Sequence, residues 1–235
     1  MQLLQVIRHL EQSSLAVFTI NDLSRILRKP KNYCSLYLHR LKKKEHILQV
    51  EKGKYALNDT NIYAIASNLI PHSYVSFLSA LSYYKLTTQL PQTIHVVAPK
   101  SKKPIYFQGY NLHFVKMNPS KIFSITKQYS GGKNLFIGTK EKVIIDSIYL
   151  PRYCPLSETY DALKEAKLGL NELLRTALKM HSFVLMKRLG YLLEKEGINL
   201  SRKIKLNKTY DRLNPFTPGK GRRNDKWKLI VNEEI

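Results

Sequence analysis

The chain has 235 residues, room for one large domain or two to three small ones, and 43% of them are hydrophobic, which excludes disorder as the default state. Against 17 Asp and Glu stand 39 Lys and Arg, a net charge of +22, and a chain this basic usually meets a polyanion, nucleic acid first and an anionic membrane surface second. A membrane partner would need an apolar span of about 18 residues or a strongly amphipathic basic helix; neither is found, and Gln2, Gln5, Arg8 and His9 break any signal-peptide core, so a cytoplasmic protein without membrane contact is expected.

Leu3, Leu4, Ile7 and Leu10 recur at helical spacing and predict a helix over 2–12, ended by Ser13 and Ser14. After the apolar run Leu15 to Phe18, Thr19 can cap a second helix while Asp22 reaches back to it, and this helix runs to about Leu27. Lys29, Pro30 and Lys31 make a turn, because proline lacks a donor and disfavours helix in the residue before it. Asn32 then caps a third helix, whose Cys34, Leu38 and Leu41 share an inward face at i, i+4, i+7. The opposite face carries Asn32, Ser35, Leu36, His39 and Lys43, flanked by Tyr33 and Arg40. Two alternating runs, Ile47 to Glu51 and Lys54 to Leu57, flank Lys52-Gly53 and predict a β-hairpin. Three helices and a hairpin within residues 1–60 make a winged helix-turn-helix, with the hairpin as its wing.

Residues 61–151 read as a mixed helix and strand part. A helix over 62–69 leads through Pro71 into 74–84, where Val75, Leu78, Leu81 and Tyr84 predict another helix. Short strands follow at 93–98, 104–108, 112–117, 122–129 and 135–138, separated by Pro, Gly and Asn turns, and a helix over 140–150 closes the block before Pro151. Residues 152–235 are helical and then basic. Helices over 157–168, 171–180 and 182–196 end at Gly197, and 199–228 holds ten basic residues against Asp211 and Asp225 before a terminal strand around 227–231. The fold class is α+β.

The helix-turn-helix is the most specific signal for chemistry. Its outward face enters the major groove, where Asn32, Tyr33, Ser35, Leu36, His39 and Arg40 are candidates for reading bases. Lys31, Lys43, Lys52 and Lys54 would neutralise phosphates, setting position and affinity. Residues 1–57 carry eleven basic and four acidic side chains, a surplus of seven that favours DNA over a bare packing module. Lys220, Arg222 and Arg223, beside Gly219 and Gly221, could follow a phosphate backbone as additional nucleic-acid contacts or be a solvated charge run. No GxxxxGK[ST] or GxSxG occurs, and the acids are too sparse for an obvious catalytic pair. Asp146 lies among apolar neighbours, where a structural hydrogen-bonding role outweighs a catalytic one. The seven histidines lack metal-ligand spacing, and Cys34 and Cys154 are far apart, so neither a metal, a cofactor nor a disulfide is expected. Both cysteines read as small buried hydrophobes, and the aromatics of 74–84 and 106–114 read as core.

Five segments carry a family resemblance: 74–86 (YVSFLSALSYYKL), 93–97 (TIHVV), 140–150 (KEKVIIDSIYL), 188–194 (RLGYLLE) and 227–232 (WKLIVN). Their succession behind a winged helix resembles the AbiEi family of antitoxins of type IV toxin-antitoxin systems, associated with phage defence. The resemblance implies that 61–235 is an antitoxin domain. It implies a protein that binds repeats of double-stranded DNA in the promoter of its own operon and represses it. It also implies that the protein counteracts a nucleotidyltransferase-type toxin, in which direct contact with the toxin need not occur. The expected protein is therefore an autorepressor and antitoxin rather than an enzyme. A winged-helix regulator with a ligand-sensing domain would instead show an apolar pocket with converging polar groups, and a nucleic-acid-processing enzyme would need clustered acids.

Overall fold

Helices α1 (Leu3–Gln12), α2 (Ile20–Leu27) and α3 (Lys31–Lys43) precede a hairpin of β1 (Ile47–Glu51) and β2 (Lys54–Leu57); the computed structural model describes residues 2–201, 204 and 206–235. The Thr19 and Asp22 capping box is formed. The Thr19 N–H donates to Asp22 Oδ2 at 2.8 Å and the Asp22 N–H to Thr19 Oγ1 at 3.3 Å, satisfying donors that a helix start leaves open. Asn32 is not the cap of α3. Pro30, at φ −65 and extended ψ, occupies the cap position, and its carbonyl accepts the Cys34 N–H at 3.1 Å. The Asn32 side chain accepts instead from the neighbouring Tyr33 N–H at 2.9 Å. Cys34, Leu38 and Leu41 are buried as their spacing requires, against Val6, Leu10, Phe18, Leu23, Ile47 and Leu57. Gly53 turns the hairpin at φ 77, a conformation that costs glycine little. Phe18 and Tyr55 exchange backbone hydrogen bonds of 2.8 and 2.9 Å, adding a rung that the sequence pattern hides.

After α4 (Ile62–Ser67), the stretch read as one helix divides into β3 (Tyr74–Val75) and α5 (Phe77–Tyr83). β4 (Thr93–Ala98), β5 (Ile105–Phe107), β6 (Tyr110–Lys116), β7 (Ile125–Ser130) and β8 (Lys133–Gly138) complete a six-stranded sheet ordered β5-β6-β4-β3-β8-β7. β3 lies inside it, antiparallel to β4 and parallel to β8. A strand enclosed on both sides is apolar throughout, and so short a run is indistinguishable by period from the start of a buried helix.

Contacts group the chain into two compact units: Met1–Val75, Gln92–Met117 and Thr126–Ile137 in one, and Ser76–Pro91, Asn118–Ile125 and Gly138–Ile235 in the other. The first sixty residues thus share a unit with most of the sheet. Lys133 ties them together: its buried ammonium donates to the carbonyls of Leu10, Glu11 and Ser13 at 2.5, 3.1 and 2.7 Å, closing the carboxyl end of α1 where a cation is favoured. Burial holds this ammonium below the ordinary lysine range.

The second unit holds α5, α6 (Lys140–Tyr149), α7 (Leu156–Glu165), α8 (Leu170–Lys179) and α9 (Phe183–Lys195). A small sheet of β9 (Asp211–Arg212), β10 (Arg222–Asn224) and β11 (Leu229–Val231) follows, ordered β10-β11-β9. The basic C-terminal part is therefore partly strand, in pieces too short to show a period. α6 packs against the other four helices and buries every residue from Lys142 to Ile148. Its Lys142 and Asp146 form a fully buried ion pair one turn apart, and Asp146 also accepts from Ser76 Oγ at 2.9 Å. Gly190 leaves room for the Trp227 ring, which would lie 2.1 Å from a Cβ there, and Trp227 Nε1 donates to Glu194 Oε2 at 2.5 Å. Of the segments that carry the family resemblance, 76–86 thus meets 140–150 in this core and 188–194 meets 227–232. Cys34 and Cys154 are free and buried. Among the described residues no helix is long and apolar enough to cross a membrane.

Candidate nucleic-acid interface

α3 separates its residues cleanly by face. Opposite the buried Cys34, Leu38 and Leu41, the side chains of Lys31, Asn32, Ser35, Leu36, His39, Arg40 and Lys43 are all exposed. Leu36 is 59% exposed, an apolar side chain presented to solvent among polar ones. Ser35, His39 and Lys43 make no side-chain hydrogen bond or ion pair among the described residues, and the Arg40 guanidinium lies 6.0 Å from the Tyr37 ring centre. Tyr33 differs from the rest of the group. It is half-buried, its hydroxyl 3.0 Å from that of Tyr37 and their rings 4.9 Å apart, so it braces the face more than it extends from it.

The hairpin splits the two lysines that the sequence treats alike. Lys52 is exposed at the turn. Lys54 is half-buried: its ammonium donates to the Leu69 carbonyl at 2.5 Å and lies 3.0 Å from Glu51 Oε1. Glu51 also meets Lys102 at 2.5 Å. The hydrogen bonds and charges of these two lysines outweigh its partial burial and hold its carboxyl below the usual range.

Other cations beside α3 escape the sequence reading. Arg28 and Lys29 are exposed in the turn before it, Arg28 in the left-handed conformation at φ 52. Lys42 is exposed too, donating to Gln49 Oε1 at 2.7 Å. The run Arg28-Lys29-Pro30-Lys31 was the available signal, since it puts three cations around the turn that leads into α3. Tyr106 and Tyr110, read as core, are exposed on the β5–β6 hairpin at the sheet edge. Pairing of β4 with β6 sets His95 opposite His113, their rings 5.6 Å apart. Burial, and then the neighbouring imidazole, push His95 down to about 4. Among the described residues no three His, Cys, Asp or Glu side chains stand where they could hold a metal ion.

In the second unit, Lys220, Arg222 and Arg223 line an open cleft of about 690 Å³ together with Tyr191, Lys226 and the acids Asp225, Glu233 and Glu234. Glu233 accepts from Asn214 and Thr217, and Lys226 pairs with Glu194. Arg223 stacks 5.3 Å from the Tyr210 ring centre. Lys220 and Arg222 have no such partner among the described residues. Gly221 is required here, because a Cβ would come within 2.5 Å of the Val231 carbonyl oxygen. Arg202, Lys203 and Lys205, counted in the basic segment, lie outside the described residues.

No family model matches the chain, and no curated protein does. Among solved structures the chain is similar to the RV2827C protein from Mycobacterium tuberculosis, at 14% identity and a TM-score of 0.63, over 95% of this chain and 89% of that one. At that identity the likeness shows the fold: an α+β arrangement of N-terminal helices with a small hairpin, a mixed sheet and then a helical region.

Proposed function

We propose that this chain is a DNA-binding transcriptional autorepressor, with α2, its turn and α3 as a helix-turn-helix and β1–β2 as the wing. The observation that carries the reading is α3 itself, apolar and buried on one face, polar, basic and exposed on the other, where Ser35, His39 and Lys43 have no side-chain partner among the described residues. Laid in a major groove, Asn32, Ser35, His39 and Arg40 reach base edges, and Leu36 offers apolar contact to a thymine methyl. Tyr33 fixes the edge of this row. Lys31, Lys43 and Lys52 neutralise phosphates, while Lys54 holds the wing in place from within. The cleft beside β10 is lined by charges, whereas a ligand-sensing domain calls for an apolar pocket. The test is a gel-shift titration of the full chain over the DNA upstream of its own gene and over a scrambled duplex. Preference for the first, weakening steeply with salt, is expected; equal affinity for both overturns the repressor reading.

The resemblance to AbiEi antitoxins extends the proposal to a second role, in which the larger body counteracts a nucleotidyltransferase-type toxin without catalysis or cofactor of its own. Expressing a nucleotidyltransferase encoded beside this gene, alone and with this chain, tests it. Growth arrest relieved by this chain, and equally by its Arg40→Ala variant, is expected if protection is separate from operator reading. Arrest that persists with the intact chain overturns the antitoxin role.

A further inference from the structure

The segment from Pro99 to Pro104, PKSKKP, joins β4 to β5 and lies against the β1–β2 hairpin within the same compact unit. Its fourth residue, Lys102, places its ammonium 2.5 Å from Glu51 Oε2, one residue before the exposed Lys52 of the hairpin turn. β5, which begins directly after the segment, packs on β1, and Gln108 Nε2 donates to the Asn58 carbonyl at 3.2 Å just past β2. The loop is thus tied to the hairpin through Lys102, and the strand that follows it is held there by β1 and Gln108. A proline at each boundary fixes φ and removes a donor, which stiffens the short connection.

The other cations of the loop are Lys100, two residues before the anchor, and Lys103, directly after it. Both are exposed, and neither has a side-chain hydrogen bond or ion pair among the described residues. The hairpin carries Lys52 and Lys54 and the loop Lys100, Lys102 and Lys103, while Glu51 is the one acid in the sequence of either segment. Two of these cations, Lys54 and Lys102, are spent on that acid, which leaves Lys52, Lys100 and Lys103 uncompensated. Exposed cations on a stiff scaffold with no acid to pair with are stabilised by a polyanion. We propose that the 99–104 loop is a second phosphate-contacting element beside the hairpin. Lys100 and Lys103 take backbone phosphates of the same duplex that α3 reads, and Lys102 is a positioning residue that holds the loop to the hairpin. This rests on the DNA-binding reading above and enlarges the contacted surface beyond the first sixty residues.

Backbone contacts add affinity and salt dependence without sequence preference. The test is the Lys100→Ala/Lys103→Ala double variant of the full chain, titrated from low to moderate salt against the upstream duplex and a scrambled duplex of equal length. The slope of log affinity against log salt is expected to fall by about 2, equally on both duplexes, with thermal melting unchanged. An unchanged slope in a variant of a protein that binds steeply shows the loop to be merely solvated, and overturns the proposal while leaving the reading of α3 intact. Loss confined to the upstream duplex would make these lysines base readers and overturns it as well. If the unaltered chain binds neither duplex, the DNA-binding reading falls and the proposal falls with it.

Discussion

Helices α3 and α9 each contain thirteen residues and both carry cations, yet they use them in opposite ways. On α3, Lys31, Arg40, Lys42 and Lys43 are all exposed. On α9, Lys187 and Arg188 are buried. The Lys187 ammonium meets Asp211 Oδ2 at 2.5 Å and the Thr209 carbonyl at 2.6 Å. Arg188 donates to the carbonyls of Ile148, Tyr149 and Arg212 at 3.1, 3.3 and 3.1 Å, closing the carboxyl end of α6 as Lys133 closes that of α1. Burial pushes its guanidinium down to about 10. The net charge therefore sums two populations: internal cations that satisfy carbonyls and carboxylates, and surface cations, of which Lys31, Lys43 and Lys52 have no side-chain hydrogen bond or ion pair among the described residues. Only the second can meet a polyanion.

Removing an internal cation separates the two populations most strongly. Arg188→Ala takes the donor from the buried Ile148 carbonyl and from the part-buried carbonyls of Tyr149 and Arg212. At one to three kcal/mol for each unsatisfied group the loss is about 3 kcal/mol, or roughly 6–12 °C in melting temperature for a chain of this size. Lys43→Ala on the exposed face of α3 is expected to stay within about 0.5 kcal/mol of the unaltered protein. Thermal or denaturant melting of the two variants decides this; equal effects would mean that burial does not separate the two populations.

Next in size is an effect on binding that spares stability. Arg40→Ala is expected to cost about 1–3 kcal/mol on the upstream duplex and much less on scrambled DNA, with melting unchanged. A footprint that survives Arg40→Ala unaltered would remove α3 from the groove. Smaller still is Lys52→Ala, which should weaken both duplexes alike and lower the salt slope by about 1. Lys54→Ala should instead lower stability and leave the slope alone, since its ammonium already serves Leu69 and Glu51.

What was legible in the sequence was local. The Thr19 and Asp22 box, the inward row of α3 and the turn at Gly53 depend on residues within one or two turns of each other, and the structure keeps all three. β4 appears with the bounds its alternation predicts. What escaped depends on distant partners. Nothing near Lys133 in sequence marks it as the cap of α1, because the carbonyls it serves belong to the beginning of the chain. The strand at Tyr74 and Val75 shows as strand only once β4 and β8 lie beside it. Of the candidate site, the exposed row of α3 was readable from period. The difference between Lys52 and Lys54 was not, since it depends on where Leu69 and Lys102 come to lie.

The least of the expected effects tests whether Lys54 and Lys102 belong to the internal population. Glu51 lies between them and its carboxyl is held below the ordinary glutamate value of 4.5. A carboxylate whose value is lower in the folded than in the unfolded chain favours folding fully above the unfolded value, and that contribution is lost as pH falls through the folded one. The stability from this trio should thus be complete near neutral pH and disappear with acidification from about 4.5 downward. For partly exposed pairs its size is at most about 1 kcal/mol. Comparing melting of the unaltered chain with Glu51→Gln isolates it, because the remaining carboxylates are common to both. The unaltered protein should be the more stable above pH 5, and the gap should close toward pH 3. A gap independent of pH would mean that Glu51 contributes through packing alone and that its charge does not hold Lys54 and Lys102.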